Sequence, residues 1–113
     1  MPSDRLRRVD EAIRQVLSDA VRDVKDPRVG FVTMTAVKTS PDLRHARVYV
    51  SVLGDEAARA ASLEGLRSAH GFLQRRVAEE LRLKHTPTLD FVYDDTAERG
   101  QRLTELIDRE VGE

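Results

Sequence analysis

Apolar residues recur at three- and four-residue spacing from the start of the chain. Leu6, Val9, Ile13, Val16, Leu17, Ala20, Val21 and Val24 form one stripe, which predicts an amphipathic helix over residues 3–25. Ser3 or Asp4 offers a side-chain oxygen to cap its first turn. Pro27 cannot extend a helix interior, and Gly30 adds a turn residue before the next element. The period then changes. FVTMTAVKT, residues 31–39, is rich in β-branched residues, has no breaker and predicts a strand. SPDL reads as a turn, where Pro41 presets a backbone angle and Asp42 can accept a local backbone hydrogen bond. LRHARVYVSVL, residues 43–53, alternates, with Ala46, Val48, Val50 and Val52 on one face and Arg47, Tyr49 and Ser51 on the other. The two strands make a hairpin in a sheet covered on one side only.

After Gly54 the helical period returns over residues 56–83. Its apolar positions are Ala57, Ala60, Ala61, Leu63, Leu66, Ala69, Phe72, Leu73, Val77, Leu81 and Leu83. So long a helix is unusual in a chain of 113 residues, and the segment Ser68, Ala69, His70, Gly71 is the expected break. An interior glycine costs about 1 kcal/mol relative to alanine, so Gly71 needs a compensating reason. Thr86-Pro87-Thr88 closes the region, and LDFVY, residues 89–93, is a short third strand. Asp95 and Glu98 have the spacing of a capping box, and Ala97, Leu103, Leu106, Ile107 and Val111 give the last helix an apolar side. The order helix, strand, strand, helix, break, helix, strand, helix describes an α+β chain. One domain over residues 1–113 is expected, its three-stranded sheet covered by helices on one face.

Composition narrows the chemistry. Three phenylalanines, two tyrosines and no tryptophan leave the core to Val, Leu, Ile and Ala. Without cysteine there are neither disulfides nor thiolate ligands. No apolar run is long enough to span a membrane, and MPSDRLRRVDEAI has no signal-type apolar stretch, so the cytoplasm is the expected location. The net charge of -1 hides a polarity: residues 1–54 carry +3, 55–66 carry -2, 67–85 carry +3 and 86–113 carry -5. Of the 19 basic residues 16 are arginine, whose planar fork matches phosphate. Solvated faces of ordinary helices are the alternative reading.

No catalytic constellation stands out. His45, His70 and His85 are widely spaced, HExxH is missing, and neither a nucleophile elbow nor a phosphate-binding glycine loop is present. No metal site, cofactor or enzymatic activity is therefore expected. Asp94 and Asp95 precede a helix, where capping explains them better than a catalytic pair. Met34 reads as core. Around the break, Arg67, Arg75, Arg76, Arg82 and Lys84 accompany amides that lack partners at the start of a new helix. Two readings stand open there: contact with RNA, or a glycine that permits close packing or bending among solubilising arginines. His70 is open in the same way.

Four stretches then carry a resemblance over nearly the whole chain: RLRRVDEAIRQVLSDAV, DPRVGFVTMTAVKTSPDLRHARVYVSVLG, SLEGLRSAHGFLQRRVAEELRLKHTPTLDFVYDDT and the ERG just after it. Their order and spacing resemble the bacterial ribosome-binding factor A family. The resemblance implies a KH-like fold of the type II arrangement. In this family an Ala-x-Gly kink, here Ala69-His70-Gly71, replaces the GXXG loop with which ordinary KH modules clamp four nucleotides. Ser68 stands where a glycine would be needed, so that grip is not carried over. The implied role is non-catalytic. Such a factor binds the free 30S subunit and its 16S rRNA and promotes late maturation and 5′-end processing, particularly in the cold. Small-subunit ribosomal proteins are further implied contacts, with no membrane partner and a monomer when free. The implied RNA-binding residues are Arg5, Arg7, Arg8, Arg28, Arg44, Arg47, Arg67, His70, Arg75, Arg76, Arg82 and Lys84. A protein-binding adaptor that acts through the acidic C-terminal helix is the competing role.

Overall fold

The structure, a computed structural model, describes the backbone of residues 4–111 and side chains as far as residue 106. The first stripe folds as helix α1, Asp4–Ala20, and buries Ile13, Val16, Leu17 and Ala20. The helix ends before residue 25. A 3-10 turn covers Val21–Asp23 and Val24 is already extended, at φ -75 and ψ 119. The coming Asp26-Pro27 pair accounts for the early stop, because a residue before proline avoids the helical region. Ser3, one of the two cap candidates, lies outside the described residues.

Strands β1, Val32–Thr39, and β2, His45–Val52, pair antiparallel through the predicted hairpin. Asp42 fulfils its turn role by accepting the Arg44 amide at 3.0 Å. A bulge between Met34 and Ala36 shifts the alternation, so Met34 and Val37 both point to the core although they stand an odd three positions apart. On β2, Ala46, Val48, Val50 and Val52 are all buried, the face that the alternation assigns to the core.

The long helical region is two helices, α2 at Glu56–Ser68 and α3 at His70–Leu81, parted at Ala69. Asp55 caps α2 by accepting the Ala58 amide at 2.9 Å. The pair forms the crossover to β3, Thr88–Tyr93, which runs parallel to β2 and completes the sheet order β1-β2-β3. Leu66, Leu73 and Val77 join the α1 stripe and the inward strand residues in one buried cluster. Helices α1 to α3 therefore share one side of the sheet, and the other side lies bare.

Helix α4, Thr96–Val111, departs from this layering. Its expected apolar side is not buried where side chains are described: Leu103 is 60% and Leu106 54% exposed. Ile107 and Val111 belong to the part whose side chains lie outside the description. A radius of gyration of 16.3 Å exceeds the about 13 Å of a compact chain this long, as a projecting helix requires.

Candidate nucleic-acid interface

The break between α2 and α3 is built by a row of small residues. Ser62, Gly65 and Ser68 follow one another at three-residue spacing, so they share a face of α2. The loop Arg28-Val29-Gly30 lies on that face. Ser62 Oγ accepts the Gly30 amide at 3.1 Å and donates to the Arg28 carbonyl at 3.4 Å. A Cβ on Gly65 would stand 2.7 Å from Val29 Cγ2 and 3.3 Å from the Val29 amide nitrogen. Arg28 closes the row. Its guanidinium donates to Asp26 at 2.6 Å and to Ser68 Oγ at 2.9 Å, and lies 3.4 Å from Glu64. The same hydrogen bonds hold the Asp26 carboxyl down to about 2.

Gly71 plays no part in this packing. A Cβ there would meet nothing within 4 Å, and its backbone is not left-handed. Close packing inside the chain is therefore not what Gly71 permits, and the tight position is Gly65; the bend itself is present, at Ala69. Near Gly71, Arg76 is held by Asp23 at 3.0 Å and Glu80 at 3.2 Å. Arg67 donates to the Phe91 carbonyl at 3.1 Å. Arg75 is exposed, and His70 is half-buried.

Arg82 and Lys84 are not at the break at all. They follow the far end of α3, 12 residues long, about 18 Å away at 1.5 Å per residue. The start of α1 meets them there, since Arg5, Arg8, Val9, Ala12, Leu81 and Leu83 line a groove of about 420 Å³. Asp10 accepts the Thr39 amide at 2.8 Å, which brings the hairpin to the same end. Gln74 accepts the Leu89 amide at 3.2 Å and donates to the Pro87 carbonyl at 2.6 Å, fixing the entry to β3 beside it. The Thr88 amide donates to the Arg44 carbonyl at 2.8 Å. The predicted basic residues thus split into two groups. Arg28, Arg67, His70, Arg75 and Arg76 surround the break, while Arg5, Arg7, Arg8, Arg44, Arg47, Arg82 and Lys84 gather at the hairpin end.

The two groups differ in availability, although Arg75 at the break is also exposed and has no ion pair or hydrogen bond among the described residues. Among the described residues, the exposed side chains of Arg5, Lys38, Arg44, Arg47, Arg82 and Lys84 have no ion pair or hydrogen bond. Arg7 sits 3.6 Å from Asp4, and Arg8 donates to the Asp4 carbonyl at 3.4 Å. Arg82 holds a left-handed backbone, φ 48, at the C-terminus of α3, a place glycine usually fills. Lys38 was absent from the expected set, although the register that pairs it with Arg47 follows from the hairpin.

The expected capping box does not form. Asp94 takes the helix-start role by accepting the Thr96 amide at 2.9 Å, while Asp95 pairs with Arg99 at 2.8 Å. Glu98 turns instead to Tyr93 Oη at 2.6 Å and Arg59 at 2.7 Å, with Arg59 also over the Tyr93 ring at 4.7 Å. A hydrogen bond from Thr35, then others from Thr96, hold the Asp94 carboxyl below its usual value. Asp94 is thereby engaged in joining β1 to the base of α4. Among the described residues no three His, Asp or Glu side chains come together as a metal site, and no helix is long and apolar enough to cross a membrane.

This geometry has known counterparts. A family model described as ribosome-binding factor A matches residues 5–107. A ribosome-binding factor A of Halorhodospira halophila is 52% identical over 106 residues, spanning 92% of this chain and 84% of that one. The solution NMR structure of a Thermotoga maritima protein is similar at TM-score 0.73 and 36% identity, covering 81% of this chain and 89% of that one. A homology model of a Thermus thermophilus ribosome binding factor A, as fitted into the cryo-EM map of its complex with the 30S subunit, aligns at TM-score 0.65 and 26% identity. That alignment covers 76% of this chain and 91% of the Thermus one.

Proposed function

This chain belongs to the ribosome-binding factor A family, and from that premise we propose that it binds the free 30S subunit and its 16S rRNA without catalysis, promoting late subunit maturation and 5′-end processing. The 30S complex of the Thermus relative supports the partner. One observation of this chain carries the RNA contact: the six unpaired cations at the hairpin end. Phosphates that meet them release counterions, so binding weakens steeply as salt rises. Binding then favours whichever conformation of the immature subunit presents those phosphates best, and it needs no bond to form or break. The kink is the second contact zone, where exposed Gly71 lets an RNA backbone approach closely.

Purified precursor subunits provide the test. Replacing Arg44, Arg47 and Lys84 together by Glu should weaken binding at least about tenfold at physiological salt. The slope of log affinity against log salt should fall by about 0.7–0.9 for each phosphate that is no longer neutralised. Unchanged binding would refute the anchor. The adaptor reading draws on the exposed Leu103 and Leu106 of α4. If Leu103→Lys with Leu106→Lys abolishes binding while the charge reversals do not, that reading replaces ours. Cleavage of precursor RNA by pure protein, abolished in Asp94→Asn, would overturn the non-catalytic assignment.

A further inference from the structure

The bare side of the sheet holds two aromatic rings with no role in the fold. The core is poor in aromatic residues, with three Phe and two Tyr in the chain, yet Phe31 is 79% exposed. Phe31 and Leu53 lie one residue beyond the paired strand ends Val32 and Val52, and the Leu53 amide donates to the Phe31 carbonyl at 3.0 Å, so continued alternation sets both side chains opposite the inward Val32 and Val52. Leu53 is 76% exposed. Tyr49 lies on the same outward face, half-buried, and its hydroxyl has no hydrogen bond among the described residues. It is four residues before Leu53, which lies one residue past the end of β2, about 13 Å along extended chain. Thr33, Thr35 and Ser51 lie between the rings. Beyond Tyr49 the face ends in a cleft of about 440 Å³ lined by Lys38, Thr39, Ser40, His45, Arg47 and Asp90.

A protein-docking face would be a continuous apolar patch. Here separated rings stand among polar side chains and lead to cations, the layout with which a sheet stacks unpaired bases and neutralises their backbone. We propose that this uncovered sheet face binds a short single-stranded RNA segment. Phe31 and Tyr49 stack bases, and Lys38 and Arg47 hold a phosphate in the cleft. The proposal rests on the RNA-binding function above and extends its hairpin-end anchor, through Lys38 and Arg47, onto the side of the sheet away from the helices.

The test uses the whole chain and a fluorescein-labelled single-stranded adenylate octamer, with binding to precursor subunits measured in parallel. Phe31→Leu and Tyr49→Leu keep apolar bulk but remove the ring. Each should weaken octamer binding at least about fivefold and leave the salt slope unchanged. Tyr49→Phe retains the ring and should bind as the unaltered chain does. Arg47→Gln should weaken binding and lower the slope by about 0.7. In NMR spectra the ring protons of Phe31 and Tyr49 should move upfield as the octamer is added. Leucine variants that bind normally, or shifts confined to α3, overturn the proposal. A chain that holds subunits but not the octamer also overturns it and leaves the proposed function standing. A chain that holds neither overturns both.

Discussion

The two ends of α3 use arginine in opposite ways. At the break, Arg28 and Arg76 are tied to Asp26, Glu64, Asp23 and Glu80, and their work is to fasten a loop and the 3-10 turn after α1 against the helices. At the hairpin end, the side chains of Arg5, Arg44, Arg47 and Arg82 make no ion pair or hydrogen bond among the described residues, although Asp42 feels the charge of Arg44 and Asp90 is the cross-strand neighbour of Arg47. Exposed ion pairs contribute little to stability, but an acid already beside a guanidinium competes with an incoming phosphate. The lesson is that basic residues close together in sequence need not share a site. Counting cations around Gly71 along the chain put five in one place; α3 separates Arg82 and Lys84 from it by its whole length.

The largest effect expected from this contrast is at Gly65. Gly65→Val pushes a branched side chain against Val29, where even a Cβ comes within 2.7 Å of a methyl and 3.3 Å of backbone nitrogen. Overpacking of this kind costs typically 1–3 kcal/mol, and thermal unfolding should shift down by roughly 4–8 °C per kcal/mol. An unchanged melting temperature would show that the Arg28-Val29-Gly30 loop does not need its seat on α2.

A smaller effect of opposite sign is expected at the other end. Arg82→Gly relieves a left-handed backbone that costs a non-glycine residue roughly 1–2 kcal/mol. Stability should rise by about 1 kcal/mol after the entropy of the added glycine is set against it, while affinity for precursor subunits falls. A rise in stability with affinity intact would remove Arg82 from the anchor and narrow the difference between the two ends.

How much of this could be read in advance depends on the range of the interaction. The α1 stripe, the alternation of β2 and the break before Gly71 repeat or interrupt a local period, so they are visible without a fold. The seat on α2 is not. Ser62, Gly65 and Ser68 are spaced as helix neighbours, but their partners lie some thirty to forty residues away, and small residues at that spacing do not say what packs on them. Glu98 shows the same limit from the other side. Its capping-box position was correctly spaced, but Tyr93 and Arg59, brought in by β3 and α2, compete for the carboxylate and win. Leu103 and Leu106 show a third case, because an amphipathic period looks alike whether a helix is covered or bare. Apart from Lys38, the basic residues of the site were legible as residues; their division between two ends was not.

The smallest effect decides what the break itself contributes. At Gly71 nothing inside the chain occupies the space of a Cβ, and the residue lies in the first turn of α3. Gly71→Ala should therefore stabilise the protein, by up to about 1 kcal/mol from helix propensity. Crowding cannot oppose this, so Gly71→Val should also fold, with less gain because its branched side chain loses rotamer freedom in a helix. If the open space is where an RNA backbone approaches, both variants gain or keep stability while losing affinity for precursor subunits, valine more than alanine. Melting curves and subunit binding measured on the same samples separate the outcomes. Stability that rises with affinity intact would make the break purely architectural, like the arginines that brace it, and leave the hairpin end as the anchor for phosphate.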